Sequence, residues 1–507
     1  MNWTDGYHTD SEYVADFFKE LAPNYLDFIC AINKVSPPPT KKSFRYCELG
    51  SGNGVTANIL AASFPEAEFH AIDFMPVHIA NARHLAAEAR LNNMHFHEVS
   101  FKEADQLSLK KFDYIVLHGV YSWISKENRL AVCEFIKQHL NTGGIVYNSY
   151  NSMPGWSHVL PFREAINSMG QSHNAHTVAK VHIARNYIQK LKEKNAAFIR
   201  LNPQIEQQIG ELEKLKEKYL AQEYLNQDWN PLYVTEIMSE MGEAKLSYIG
   251  SATLYDNYNQ YQLTAEQIEL VNEQPTVPMR EFTKDLLVNK KFRRDIYCRG
   301  ARTLTDKEQI KIIEGFSLTL ICQPEDVKLK VTIDIGEVSL NAERALPVIA
   351  VLKAGVIDIK TLVKVTGFSL SDVMSVVTVL LMSNQAILVN PIKSQKSIEK
   401  INQIISERAF SDQALSFFAY QGTGLSISPE DQVLLKHSEK LSGSQLVRKM
   451  LEEMKSHNRA FIAEGELIQE QEKAVAHTEK LVQEFEEKKK PLYQQLGLIS
   501  PAIEPTD

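Results

Sequence analysis

Seven consecutive residues, Glu48-Leu49-Gly50-Ser51-Gly52-Asn53-Gly54, set an acid beside three alternating glycines directly after a short apolar run. Glycines so spaced allow a tight turn and a close approach of backbone to ligand. A dinucleotide loop reads G-x-G-x-x-G. Here the run is G-x-G-x-G, with Val55 where the last glycine would stand. A carboxylate at Glu48 would repel a pyrophosphate. It suits S-adenosylmethionine (AdoMet), which carries an ammonium and a sulfonium and no phosphate. Asp73 follows nineteen residues after Gly54, at the end of an expected second strand, where a carboxylate can accept ribose hydroxyls. Phe74 lies beside it. Ser100 and Phe101 end the third strand, where adenine would lie, and Phe101 is equally suited to stacking on the base or to the core. His118 and Gly119 end the fourth strand and complete the expected cofactor set, with Tyr13 as a cover for its methionine end.

Methyl transfer from a sulfonium is an in-line displacement with a neutral leaving group. It asks for alignment and exclusion of water rather than a catalytic triad. The loops after the fourth and fifth strands supply acceptor-side candidates: His118, Tyr121 and Trp123 from one, Tyr150, Asn151 and Trp156 from the other. Aromatic walls would steady cationic groups. Each residue also has a plainer reading as strand-end or core packing.

The elements that must position these residues alternate in type. Strands are expected at Phe44–Cys47, Glu68–Ile72, Met94–Glu98, Phe112–Leu117 and Ile145–Tyr150, the last after a Gly143-Gly144 turn. Helices are expected at Val55–Ala62, Pro76–Arg90 and from the Ser125 cap to His139. That alternation builds a parallel sheet covered on both faces. Lys245–Gly250 and Arg294–Arg299 are expected to close it as an antiparallel pair. The expected fold class is therefore α/β, a doubly wound, mostly parallel, seven-stranded Rossmann-like sheet. A helical insertion and a C-terminal α+β, winged-helix-like region ending in helices would be added to it. The expected divisions are an N-terminal helical lid (1–40), an AdoMet-binding core (41–157), a helical insertion (158–225), a regulatory region with the closing strands (226–305), a winged-helix-like domain (306–395) and a helical C-terminal region (396–507). The would-be recognition helix, Ser369–Met382, has no Lys or Arg and carries Asp372, so phosphate contact through it is not expected. Gln445–Lys490, strongly charged, reads as a long amphipathic helix packed on its own chain.

The 507 residues exceed one compact core, and 44% hydrophobic with 23% charged residues is ordinary for globular protein. A net charge of -8 argues against bulk nucleic-acid binding. No signal peptide and no membrane-spanning run are read, so a cytoplasmic protein without membrane insertion is expected, with secretion lacking a cleaved signal left open. Five cysteines without a C-x-x-C pair suggest neither disulfides nor zinc. His95 and His97 share one strand face, yet no third ligand is evident, so no metal is expected and solvent-facing histidines are the reading. His173 and His176, in a polar loop, read the same way.

Together with the glycine loop in Cys47–Gly54, the runs His118–Arg129 and Ser149–Trp156 resemble bacterial class I methyltransferases carrying a methyltransferase regulatory domain. Tyr13–Phe28, Tyr224–Trp229 and Phe292–Asp295 are similar too, so the resemblance spans about residues 7–300. Ser51 and Ser152-Met153 depart from the usual pattern without removing chemistry. Rickettsial lysine methyltransferases that modify outer-membrane proteins resemble this group. The resemblance implies AdoMet-dependent methylation of protein lysine, a protein substrate, and a homodimer as one state to expect. Two other readings stay open: a small-molecule methyltransferase, and a non-catalytic AdoMet-binding interaction protein.

Overall fold

The computed structural model describes residues 16–39, 43–173, 177–214, 226, 228–333, 336–391, 395–463, 466–468 and 470–499. Seven strands form its central sheet: β1 (Arg45–Leu49), β2 (Glu68–Asp73), β3 (Met94–Glu98), β4 (Phe112–Leu117), β5 (Leu140–Asn151), β6 (Leu246–Ser251) and β7 (Phe292–Arg299). Their order is β3-β2-β1-β4-β5-β7-β6. The first five run parallel, and β7 pairs antiparallel with both β5 and β6, as the closing pair was expected to.

Strand alternation divides the sheet into two apolar faces. Tyr46, Phe69, Tyr114, Tyr147 and Ile296 face one core. Cys47, Ile72, Ile115, Val146 and Tyr297 face the other. The first core takes α1 (Pro23–Ile32), α2 (Val55–Ser63) and α3 (Pro76–Glu88); the second takes α4 (Lys126–His139) and α5 (Val234–Glu243). Pro76 starts α3, and the Ser125 hydroxyl caps α4 by accepting the Asn128 N–H.

Several expected boundaries move. β1 runs two residues further than expected, so Glu48 lies inside the strand end. β5 starts at Leu140, straight from α4, but residues 141–144 bulge between the pairs Phe112↔Leu140 and Tyr114↔Ile145, so Gly143 (φ +81°) bends the chain there and continuous pairing begins at Ile145. In the N-terminal segment α1 is a core helix whose Leu26, Phe28, Ile29, Cys30 and Ala31 are fully buried.

The insertion carries its own small core, in which Phe162 and Ile166 meet Val181, Ile188, Ile205 and Ile209. Beyond residue 305 the three expected helices appear as Ala342–Leu352, Ile359–Thr366 and Leu370–Met382. The accompanying sheet differs from a winged helix. Strand Ala386–Val389 pairs with the earlier Ser317–Leu320, which also pairs with Ile357–Asp358. Helix Leu370–Met382 buries Val373, Val376, Val377, Leu380 and Leu381 in the core shared with the main sheet, because it is apolar on most sides. The long helix expected over Gln445–Lys490 is divided. Ser444–Ser456 and Gln471–Glu484 flank a short hairpin, and Leu467 is exposed rather than packed. All five cysteines are free. Among the described residues, no helix is long and apolar enough to cross a membrane.

Candidate functional site

The glycine loop leaves β1 and folds back over the end of β2, where the Gly50 and Ser51 N–H groups both donate to the Ile72 carbonyl (2.8 and 3.2 Å). Gly50, Gly52 and Gly54 all have positive φ (+70°, +52° and +63°). A Cβ on Gly50 would lie 2.4 Å from Val120 Cγ2, and one on Gly54 would lie 2.7 Å from Ala82 Cβ, whereas Gly52 faces open space. The two outer glycines are thus required by packing, and the middle one leaves room for a ligand.

Asp73 ties the loop down. Its Oδ2 accepts the Gly52 N–H at 2.8 Å, and its Oδ1 accepts the Met75 N–H at 2.9 Å with His78 Nδ1 at 3.3 Å. Asn53 accepts from the Asn81 amide. Two polar atoms beside the loop, Glu48 Oε2 and Ser51 Oγ, are buried without a hydrogen-bond partner. Burial pushes the Glu48 carboxyl up to about 8; Asp73 adds to this and a hydrogen bond from the Ala57 backbone opposes it. One unpaired carboxyl oxygen and an unpaired hydroxyl beside an open glycine fit a ligand bringing an ammonium and hydroxyl groups. The donor set therefore fits AdoMet. Ser100 and Glu103 form a capping box on the short helix Phe101–Ala104, and Phe101 packs partly into the second core. Phe74 is half-buried next to Asp73. Tyr13 lies outside the described residues.

The acceptor-side candidates separate onto the two faces of the sheet. His118 stacks on Phe18 with ring centroids 3.7 Å apart, meets the edge of Phe292 at 6.3 Å, and has Nδ1 2.8 Å from the Tyr147 hydroxyl. Burial, helped by Arg294, presses its imidazole down to about 3, so the ring is neutral. The Gly119 N–H donates to Ser149 Oγ at 2.8 Å.

Tyr121 and Tyr150 lie in the core on the opposite face of the sheet from Tyr147. Tyr121 is fully buried with its hydroxyl donating to Glu240 Oε2 (2.6 Å), and Tyr150 donates to Asp295 Oδ2 (2.6 Å). Tyr121 thus ties the loop after β4 to α5, and Tyr150 ties β5 to β7. Trp123 and Trp156 converge on Trp229, at 6.3 and 5.2 Å between ring centroids, and the Arg163 guanidinium lies 5.0 Å from the Trp229 ring. Asn151 is buried; its N–H donates to Ser122 Oγ and its carbonyl accepts the Leu232 N–H.

Sequence reasoning missed Phe18, Tyr147, Ser149, Phe292 and Arg294. Period-two alternation along β5 links Tyr147 and Ser149. The partners on β7 come through the pairs Ser149↔Arg294 and Asn151↔Phe292, which no local pattern announces.

The C-terminal region reaches this mouth through the N-terminal segment. Gly424 lies so close to the Phe17 ring that a Cβ there would approach it to 2.5 Å, and Phe17 also meets Phe417 at 5.9 Å. The next residue is Phe18, stacked on His118, with its N–H donating to Thr56 Oγ1 at 3.3 Å. Lys19 Nζ then bonds the Leu381 carbonyl and the Asn384 side chain. Gly424→Val should push Phe17 aside and lift Phe18 from His118, at about 1–3 kcal/mol of overpacking. The expected outcome is a several-fold lower turnover with the protein still folded, read by steady-state kinetics beside a melting curve.

A family model for a methyltransferase domain matches residues 40–223, and one for a predicted methyltransferase regulatory domain matches residues 216–299. An uncharacterized protein of Synechocystis sp. is 31% identical over 508 residues, covering 98% of this chain and all of that protein. An uncharacterized protein of Rickettsia prowazekii is 26% identical over 60% of this chain and 54% of its own length. The solved structure of PKMT2 from Rickettsia typhi in complex with AdoHcy shares the fold, with TM-score 0.69 at 18% identity over 96% of this chain and 99% of that one. The chain belongs to the class I AdoMet-dependent methyltransferases that carry a methyltransferase regulatory domain.

Proposed function

We propose that this methyltransferase acts on lysine side chains of proteins, with Glu48, Ser51 and Asp73 holding the cofactor and the His118 mouth receiving the amine. The observation that carries this reading is the desolvated, aromatic surrounding of His118, walled by Phe18, Tyr147 and Phe292. Burial that keeps this imidazole neutral acts in the same direction on an entering amine. A lysine must be neutral to attack. AdoMet, when bound, supplies an electrophilic methyl on a sulfonium. The chain's residues orient it and keep water away, and no acid is needed for a thioether leaving group. The resemblance to rickettsial lysine methyltransferases supports the same reading. So does the likeness to PKMT2 along nearly the whole chain, not only over the catalytic core.

The test is incubation with methyl-labelled AdoMet and a bacterial lysate, followed by gel separation and acid hydrolysis of labelled bands. Methyl-lysine in protein bands is expected. Label found solely in small molecules would overturn the reading.

Glu48 provides a second test. Below about pH 8 its carboxyl is protonated in the ligand-free protein, and a bound cation favours the carboxylate. Binding therefore releases a proton, so affinity for AdoMet should rise from pH 6 to 8 and flatten above. Calorimetry in buffers of different ionisation heat reads that proton. Glu48→Gln should remove its share of the release, and an identical release in the variant would count against Glu48 as the ammonium partner.

A further inference from the structure

We propose that Glu68, His70 and His95 form a divalent metal site, suited to zinc, at the end of the sheet away from the glycine loop. The sequence shows His95 and His97 on one strand face without a third ligand. The neighbouring strand supplies the rest. β2 and β3 pair in parallel with His70 directly opposite His95, and alternation puts Glu68 on the same face as His70. One carboxylate oxygen and two ring nitrogens all lie within 4.8 Å of one another. Glu68 Oε1 is 2.8 Å from His70 Nε2 and 4.0 Å from His95 Nε2.

Zinc takes nitrogen and oxygen ligands at roughly 2.0–2.2 Å, which sets tetrahedral ligands about 3.3 Å apart. The adjustment needed is confined to side chains that can move. Glu68 and His95 have 38% and 48% of their side-chain surface exposed, while His70 has 5%. The buried ligand is the one already oriented. His70 Nδ1 lies 3.0 Å from His97 Nε2, the outer hydrogen bond that fixes a metal-binding imidazole. The carboxylate is held from behind by Arg45 Nη1, 2.6 Å from Glu68 Oε2, which leaves Oε1 for the metal.

The surroundings of His70 Nε2 show what the ion would replace. His70 Nε2 faces an acceptor, Glu68 Oε1, and at the same time a donor, Arg45 Nη2 at 3.3 Å. One ring nitrogen carries either a proton or a lone pair, so it cannot satisfy both. A metal on that lone pair would satisfy the histidine and the carboxylate together. Arg45 Nη2 gives up its contact with His70, Nη1 keeps Glu68, and water fills the fourth position. β3 is the outermost strand of the sheet, so the ion would clamp the edge strand to its neighbour. Glu68 starts the strand that ends at Asp73, about 17 Å away at 3.3 Å per residue, so the role is structural rather than catalytic.

The test uses full-length protein stripped with a chelator and titrated with zinc chloride against a chromophoric indicator. Cobalt chloride provides a spectroscopic check. One equivalent of zinc is expected to bind at micromolar affinity or tighter and to raise the melting temperature. His95→Ala removes an exposed ring and leaves the core intact, so it keeps the test meaningful where His70→Ala loses stability. His95→Ala and Glu68→Gln should each weaken zinc at least about tenfold and abolish the thermal shift, with AdoMet affinity unchanged. His97→Ala should weaken it by about 10–100-fold through the ring it orients. No zinc bound by the wild type, or equal affinity in His95→Ala and Glu68→Gln, would overturn the proposal.

Discussion

Replacing Arg293 by methionine should lower the stability of the protein by about 3–5 kcal/mol, the range for removing one partner of a buried ion pair. The guanidinium is almost wholly buried and reaches three acids: Asp285 Oδ1 at 2.6 Å, Glu281 Oε2 at 2.8 Å and Asp295 Oδ1 at 2.9 Å. Methionine fills similar volume, so packing loss is small and the stranded carboxylates dominate. These acids already respond to the site. Burial pushes Asp285 up to about 7 despite Arg293, and it raises Asp295 as well. For Glu281, burial is outweighed by Lys284 and Arg293, which hold it at about 2. Without the guanidinium all three carboxyls move upward. The folded variant then binds more protons than its unfolded chain between about pH 4 and 8, so its stability falls as pH rises through that window. The loss relative to wild type should accordingly be larger at pH 8 than at pH 5, measured by urea unfolding at both. Equal losses would mean that packing, not charge, sets the effect. The consequence extends to the catalytic side. Helix α6 (Val277–Val288) carries Glu281 and Asp285, and Asp295 on β7 holds Tyr150 at the tip of β5. One arginine thus fastens the region matching the regulatory domain to a sheet strand that borders the His118 mouth.

The second large effect is expected at Asp73. Its carboxylate accepts two backbone N–H groups, from Gly52 in the loop and Met75 at the start of α3, and it is one of the residues proposed to hold the cofactor. Removing it both frees the loop and deletes a ligand acceptor. Asp73→Ala should weaken AdoMet binding by about 1–3 kcal/mol, roughly 5- to 150-fold. Asp73→Asn keeps one acceptor oxygen and should lose less. Titration calorimetry on the three proteins reads the order, and an unchanged Asp73→Ala affinity would remove Asp73 from the cofactor site.

Much of the sheet was legible because its signals are local. β3, β4 and α4 appear where alternation, apolar runs and a Ser125 cap indicate them. The glycine loop was legible for the same reason: positive φ and close approach are requirements on single residues. The boundaries that moved involve tertiary competition. Gly143 and Gly144 ask for a turn, and the chain bulges there: β4 pairs with Leu140 and next with Ile145, β7 pairing starts at Ile145, and only the single pair Phe112↔Leu140 carries the strand back to its earlier start. The divided C-terminal helix shows a different failure. Its spacing is helical throughout, but strand pairing of Ile462 with Leu467 and Ala463 with Glu466 interrupts it, and Leu446, Met450, Met454, Val482 and Phe485 all enter one core from two helices.

The sequence by itself determined the glycine loop, its acid and the succession of strands and helices that carries them, since these depend on neighbours a few residues away. Tertiary structure alone decided which aromatics gather around His118 and which turn to the other face of the sheet. Tyr121 and Tyr150 carry the right chemistry at loop positions, but each has a buried acid to bond on the far face of the sheet. Phe18, Tyr147 and Phe292 meet at His118 because an N-terminal segment, β5 and β7 converge there from distant parts of the chain. Two of the three candidate metal ligands, Glu68 and His70, were hidden in the same way. Side-chain type and spacing are properties of the chain, whereas the face a ring occupies and the partner it finds depend on register between strands far apart in sequence.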